Sequence, residues 1–236
     1  MQQLMSYFRS ACEHYNMIED GDKIAVGVSG GKDSAALLFA LCEMRRFYPK
    51  KYDVIAVTLD PCFNGEPTDY SQIEQLCKKL GVEYIIKRTE LYHIIFETRK
   101  EKNPCSLCAR MRRGSLHDAA KQAGCNKIAL GHHSDDAAET FFMNLFDNGN
   151  AECFSPVSYL SRKELYMIRP MIFAREKDII RAVKKENLPV IKSGCPADGA
   201  TNRAKTRELI MSLEKQYPAL RKKILGALQR GHISGW

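Results

Sequence analysis

Short apolar runs bounded by polar residues alternate along most of this chain with longer amphipathic segments. Ile24-Ala25-Val26-Gly27-Val28, Val54-Ile55-Ala56-Val57 and Lys127-Ile128-Ala129-Leu130 have the β-rich, nearly continuous apolar form of buried parallel strands. The pattern predicts strands at 24–28, 53–59, 83–87 and 126–130, with helices at 33–46, 69–80, 106–123 and 135–147. An amphipathic helix over 2–16 precedes them. Beyond Asn148-Gly149-Asn150 the pattern loosens into one more strand at Tyr166-Met167-Ile168 and helices near 175–186, 202–216 and 218–229. Such alternation predicts an α/β fold, a parallel sheet with right-handed crossovers flanked by helices, carrying extra N- and C-terminal helices. The expected division is an N-terminal helix over 1–20, a central domain over 21–200, and basic helices over 201–236 in the same compact unit.

In open sheets of this kind, ligands bind beyond the C-terminal ends of the strands. Three polar clusters share that address: Ser29-Gly30-Gly31-Lys32-Asp33-Ser34, Asp60, and Gly131-His132-His133-Ser134-Asp135-Asp136. The first is a glycine turn between a strand and a helix start. Its unpaired N–H groups and the helix dipole favour an anion, and its glycines let backbone approach a phosphate closely. The P-loop pattern does not fit, because Val26 stands where its first glycine belongs and Asp33 follows Lys32. In the third cluster one acid of Asp135 and Asp136 is expected to cap the helix. The remaining carboxylate and the two imidazoles exceed that need, and suit Mg²⁺ held against phosphates or a proton taken from a nucleophile. Asp60 is either a turn cap or a nucleotide or metal contact.

Composition narrows the classes. At 236 residues the chain can bury a full core, and no apolar run approaches the ~18 residues of a membrane helix. The N-terminal segment lacks the build of a signal peptide, so a cytoplasmic protein without a membrane partner is expected. The net charge of +8 favours a polyanionic partner only weakly. Its distribution says more: Arg99, Lys100, Lys102, Arg110, Arg112 and Arg113 flank one cysteine pair. Arg203, Lys205, Arg207, Lys215, Arg221, Lys222, Lys223 and Arg230 form a second set, which taken alone reads equally well as a solvated helix face.

The chain has nine cysteines, too many to ignore and too dispersed for a disulfide framework in a chain of this size. Cys42, Cys77 and Cys125 read as buried hydrophobes. Cys105-Ser106-Leu107-Cys108 is a C-x-x-C turn entering a helix, which favours thiolates and by itself fits zinc, redox or iron–sulfur chemistry. A zinc site would need a fourth ligand at matched spacing, and there is no second C-x-x-C. Cys195, in Ser193-Gly194-Cys195-Pro196, has the setting of an exposed ligand, and three thiolates without a fourth suit a cluster with one open iron.

Ser29–Ser34 resembles the SGGxDS pyrophosphate loop of the PP-loop ATPases, which cleave ATP between the α- and β-phosphates. Together with Cys105-Ser-Leu-Cys-Ala-Arg-Met-Arg-Arg-Gly114 and Cys125-Asn-Lys-Ile-Ala-Leu-Gly-His-His-Ser-Asp-Asp136, in the same order over about 20–200, it resembles the tRNA 2-thiocytidine biosynthesis family. The resemblance implies an adenine nucleotide alpha hydrolase-like fold and the cofactors ATP, Mg²⁺ and a [4Fe-4S] cluster. It implies adenylation of a cytidine carbonyl in tRNA, followed by sulfide replacing AMP. It places the cluster on Cys105, Cys108 and Cys195, with sulfide held on the fourth iron. Cys108 and Cys195 also remain open to a persulfide and disulfide route. The nucleotide is expected at Ser29, Gly30, Gly31, Lys32, Asp33, Ser34, Asp60, Gly131, His132 and Asp136. Lys32 would stabilise the phosphates, Asp135 would handle the proton, and Arg110, Arg112 and Arg113 would contact tRNA. Sulfide or a cysteine desulfurase would supply the sulfur, and a homodimer is the family's expectation.

Two departures accompany the match. Cys195-Pro-Ala-Asp-Gly-Ala-Thr-Asn-Arg lacks the second C-x-x-C-like turn of many members, and little follows residue 200 beyond basic helices. The zinc-ribbon cysteines of the related 2-thiouridine enzymes are absent, which counts against that subgroup. The competing readings keep the fold and change the chemistry. An ATP-activating amide former has no use for three cluster-type cysteines. A sulfonucleotide reductase needs a nucleophilic cysteine near the C-terminus, and none follows Cys195. A nucleotide- and cluster-bearing redox sensor that binds RNA is the non-catalytic alternative, and a sulfurtransferase acting on another nucleoside or a small molecule is the catalytic one.

Overall fold

The computed structural model describes residues 1–99, 104–192, 194–195 and 202–236, and not the side chains of Asn64 and Cys105. Strands β1 (Asp22–Gly27), β2 (Tyr52–Asp60), β3 (Glu83–Arg88), β4 (Lys127–Ala129), β5 (Val157–Leu160) and β6 (Leu165–Ile168) form one sheet in the order β3-β2-β1-β4-β6-β5. All neighbours are parallel except β5, which runs antiparallel to β6. Helices α1 (Gln2–His14), α2 (Lys32–Met44), α3 (Ser71–Leu80), α4 (Pro104–Gln122), α5 (Ser134–Asn148), α6 (Glu176–Lys185), α7 (Asn202–Gln216) and α8 (Leu220–Arg230) surround it. None of them is long and apolar enough to cross a membrane, among the described residues.

Strand parity decides what each face packs against, because successive side chains point to opposite sides. Ile24, Val26, Val54, Ala56, Ala129 and Ile168 join the buried residues of α1, α2, α3 and α6 in the larger core. Ala25, Ile55, Val57, Leu59 and Ile128 join Leu116, Ala119 and Ala120 of α4 in the smaller one. Cys42, Cys77 and Cys125 lie in these cores as expected, and burial pushes their thiols up to about 11, 12 and 11, which keeps them protonated. α1 is no appendage: Leu4, Phe8, Ala11 and Cys12 are buried in the larger core.

Where the structure differs from the sequence pattern, the reason is local. β5 was not expected; it is a four-residue edge strand whose side chains are half exposed, so its apolar pattern is faint. Its antiparallel pairing makes the sheet parallel only over the other five strands. A π-helical stretch at His93–Thr98 also had no signal in the periodicity. The supposed boundary near residue 200, Lys100, Lys102 and Ser193 lie outside the described residues.

The strand order places the functional address. β1 has β2 on one side and β4 on the other, so the chain reverses its direction of growth between β1 and β4. Crevices at such a switch point lie beyond the strand ends and are open to a ligand. The two loops leaving β1 and β4 are the glycine turn at 29–31 and the segment 130–133, and each runs directly into a helix N-terminus, α2 and α5.

Candidate functional site

The glycine turn is fastened at several points. Val28 N–H donates to the Val57 carbonyl at 2.8 Å, and Thr58 Oγ1 donates to the Val28 carbonyl at 2.7 Å. Ser34 Oγ accepts from Ser29 N–H at 3.2 Å and donates to the Gly31 carbonyl at 2.9 Å, closing the turn on the first residues of α2. Gly30 has φ +86°, a conformation that costs other residues strain, and its carbonyl accepts from Ile191 N–H at 2.9 Å. Gly131 sits against this turn so closely that a Cβ would lie 3.2 Å from Asp33 C and 3.3 Å from Ser34 N. Glycine is favoured there by proximity, since a Cβ would press on that backbone, and its φ is ordinary.

Between the two loops and α4 lies a cavity of about 380 Å³. Its lining includes the apolar Val28, Val57, Leu59, Leu116 and Leu130, the polar Ser29, Asp33, Ser34, His132 and Asp136, and Ala109, Arg112 and Arg113 of α4. That mixture suits a flat aromatic base carrying a polyanion. The cradle's backbone at two helix N-termini and its two arginines suit phosphate.

The acids of α5 are held by a network reaching to the C-terminal helices. The α5 N-cap is His133, not Asp135 or Asp136: its Nδ1 accepts from Asp136 N–H at 3.4 Å, while Asp136 Oδ2 accepts from His133 N–H at 3.0 Å. The other ring nitrogen, His133 Nε2, lies 3.4 Å from Asp136 Oδ2. Asp136 Oδ1 pairs with Arg203 at 3.2 Å. Arg203 also reaches Glu139 at 3.4 Å and Thr140 at 3.1 Å, and Arg207 reaches Glu139 at 2.7 Å. Glu139 is wholly buried, and Arg203 and Arg207 take one each of its two carboxylate oxygens.

The expected site residues divide accordingly. Ser29, Asp33, Ser34, Gly131, His132, Asp136, Arg112 and Arg113 line the cavity; Gly30 and Gly31 form the turn behind it. Lys32 does not line the cavity, being held between Asp33 Oδ2 and Glu176 Oε1, both at 2.9 Å. Burial lowers its pKa, but the bonds to Glu176 and Asp33 outweigh that and raise it overall. Asp135 pairs with Arg221 at 3.0 Å and accepts from Glu176 N–H at 2.9 Å, outside the cavity lining. Asp60 is wholly buried and organises its own loop, accepting from Cys62 N–H at 3.1 Å and Thr68 N–H at 2.9 Å. Arg110 is exposed on α4, Cys108 and Cys195 are half-buried, and the Cys105 side chain lies outside the described residues. The second basic set is not simply a solvated face, since Arg203, Arg207 and Arg221 turn to the chain's own acids.

Sequence reasoning missed Glu139, Glu176 and Arg169. Glu139 follows Asp136 by one helical turn, and Arg203 and Arg207 have the matching i, i+4 spacing, a signal that was available. Arg169 follows the end of β6, the same strand-end address as the other clusters. It is buried, donates from Nε to His132 Nδ1 at 3.1 Å and lies 4.8 Å from the centre of the Phe154 ring. Burial and the Arg169 charge push His132 down to about 4, so its imidazole is neutral at pH 7.

Comparison with known proteins bears on what this arrangement serves. The PP-loop domain family model, ATP_bind_3, matches residues 4–214. The chain is 37% identical over 225 residues to a tRNA-cytidine(32) 2-sulfurtransferase of Citrifermentans bemidjiense, covering 94% of this chain and 88% of the relative. It is 41% identical over 217 residues to the enzyme of that name from Syntrophotalea carbinolica, covering 91% and 83%. The chain belongs to the PP-loop family of tRNA-cytidine(32) 2-sulfurtransferases. Among solved structures it resembles the U34-tRNA thiolase NcsA from Methanococcus maripaludis with its [4Fe-4S] cluster, at a TM-score of 0.76 and 24% identity. That likeness covers 95% of this chain and 77% of the other, and establishes a shared fold.

Two outcomes follow from the geometry. Gly131→Ala places a methyl group against backbone that cannot yield without moving the turn. ATP affinity, measured by titration calorimetry, is expected to fall at least about tenfold, equivalent to ~1.4 kcal/mol. Glu176 is the pH-dependent group. Burial raises its pKa, but Lys32 and Arg207 outweigh that and lower it overall. A lowered folded-state pKa contributes stability above the unfolded value of about 4.3 and loses it as pH falls through the folded value. Glu176→Gln is therefore expected to melt about 2–4 °C below the parent at pH 7, for a pair worth about 1 kcal/mol. The difference should shrink in scans below about pH 4.

Proposed function

We propose that this protein is an ATP-dependent tRNA sulfurtransferase that replaces the C2 oxygen of a cytidine with sulfur. The observation that carries the reading is the placement of α4. Its first turn holds Cys105 and Cys108, and its following turns put Ala109, Arg112, Arg113 and Leu116 on the nucleotide cavity. Helical spacing thus sets the cysteine pair one turn from the arginines that face the phosphates. Cys195 arrives from the other side, four residues after Ile191, whose N–H is fastened to the Gly30 carbonyl. Four residues span at most ~14 Å, so that thiol is tethered to the phosphate turn.

In this reading the C2 carbonyl oxygen of the target attacks the α-phosphorus of ATP and pyrophosphate leaves. Hydrosulfide then attacks C2 and the oxygen departs with AMP, leaving a C2–S bond. The chain's own groups position and neutralise. The turn amides and the α2 and α5 N-termini face the phosphates, and Arg112 and Arg113 offset the charge that builds on pyrophosphate and AMP. This gives those arginines a nucleotide role in addition to the tRNA contact expected of them, while exposed Arg110 remains suited to tRNA phosphate. Asp33 Oδ1 is buried in the cavity wall with no hydrogen-bond partner among the described residues, and with Asp136 it offers hard oxygen ligands suited to Mg²⁺. Proton handling falls to these cavity acids, with Asp135 supporting them through α5 and Arg221.

Three thiols make a soft donor set that fits an iron–sulfur cluster on Cys105, Cys108 and Cys195, and a helix N-terminus favours their thiolate form. When bound, the cluster supplies soft iron able to hold sulfur for transfer. Sulfide or a cysteine desulfurase as donor, a homodimer, a cytoplasmic location, and the division at residues 20 and 200 all belong to this same reading.

Nucleoside mass spectrometry on tRNA from a deletion strain tests it. Loss of 2-thiocytidine is expected, restored by the parent gene and not by a Cys195→Ala gene, whose purified product should still bind ATP. Loss of a different thionucleoside moves the target. An unchanged profile contradicts the assignment, as does full restoration by the alanine variant lacking any cluster.

A further inference from the structure

Arg169 has no carboxylate within ion-pair distance among the described residues, although it is 5% exposed. A buried guanidinium without an acid is costly and calls for a reason. Its donors go to the Ser155 carbonyl through Nη1 and to His132 Nδ1 through Nε, and Phe154 covers its face. Phe154 also lies 4.9 Å from the His132 ring, and its carbonyl accepts from Trp236 Nε1 at 2.8 Å, so ring, guanidinium and imidazole are packed as one block.

The chemistry of the contact is one-directional. A guanidinium N–H can only donate, so His132 Nδ1 must accept and must be unprotonated. The ring proton then resides on Nε2, the other polar atom of a side chain that lines the cavity. Neighbouring Gly131 is packed on the backbone of Asp33 and Ser34, which puts His132 beside the phosphate turn.

We propose that Arg169 is a positioning residue that holds His132 as the neutral Nε2–H tautomer, so that His132 donates a hydrogen bond to a phosphoryl oxygen of the bound nucleotide. This rests on the nucleotide reading of the cavity for its acceptor, and on Arg169 alone for the tautomer. His132 is thus a fixed donor rather than a base, since its one lone pair is already engaged.

Two measurements on the full-length protein separate these parts. Long-range ¹H–¹⁵N NMR of histidine-labelled protein at pH 7 should show His132 with Nδ1 bare and Nε2 protonated. In Arg169→Met that preference should be lost, with the proton appearing on Nδ1 or exchanging between the nitrogens. A protonated Nδ1 in the parent, or an unchanged tautomer in the variant, overturns the positioning role. For the acceptor, His132→Gln keeps an amide N–H near the Nε2 position and His132→Asn does not. ATP affinity should fall about tenfold or more in His132→Asn, as for a lost bond to a charged group, and remain mostly intact in His132→Gln. Equal affinity in both variants and the parent overturns the phosphoryl contact. Failure of the parent to bind ATP at all overturns that contact and the nucleotide reading together, whereas the tautomer experiment reads Arg169 in either case.

Discussion

The closeness of two loops governs this molecule. Gly131, leaving β4, lies against the backbone of Asp33 and Ser34 at the start of α2, so closely that a Cβ would fall 3.2 Å from Asp33 C. That contact holds together the two helix N-termini at the sheet's switch point. The same geometry delivers His132 and Asp136 to a cavity that Ser29, Asp33 and Ser34 also line. If the loops stood farther apart, the amides and dipoles of α2 and α5 would no longer converge on one anion. The sheet order supplies the address, and glycine supplies the proximity.

Around that convergence the chain distributes charge in layers. Asp136 on the cavity and the acids behind it are tied to arginines from the C-terminal helices: Arg203 to Asp136, Arg207 to Glu139, Arg221 to Asp135. These pairs set a positive charge beside each carboxylate near a phosphate site, where unpaired acids would repel the ligand. They also fasten both flanks of the Cys195 segment to the site, through Ile191 on Gly30 before it and Arg203 on Asp136 after it. Arginines reading as a surface patch in sequence thus act largely as internal counterions, while Arg112 and Arg113 of α4 line the cavity and Arg110 is exposed beside them.

Much of this was legible in the chain because long apolar strands and amphipathic helices have clear periods. The five parallel strands, α2, α4, α5 and the glycine turn follow from pattern and punctuation alone. The clustering of strand-end residues also follows, since parallel topology dictates where those ends meet. Ion-pair topology does not follow: Lys32 reads as a phosphate ligand until Glu176, 144 positions away in sequence, is seen to hold it (176 − 32). Asp135 reads as the free acid until Arg221 is placed beside it, and His133 as a free imidazole until it is found capping α5. β5 escaped notice because a short edge strand has too little apolar contrast to show a period.

In the proposed reaction the converging loops hold ATP so that its α-phosphorus is attacked and pyrophosphate leaves. A single-turnover reaction of the cluster-loaded enzyme with ATP, sulfide and tRNA, with nucleotide and nucleoside products counted together, tests this step. AMP and pyrophosphate are expected in equal amounts, matching the 2-thiocytidine formed and requiring tRNA. ADP and phosphate as products, or thiolation without ATP cleavage, would contradict it.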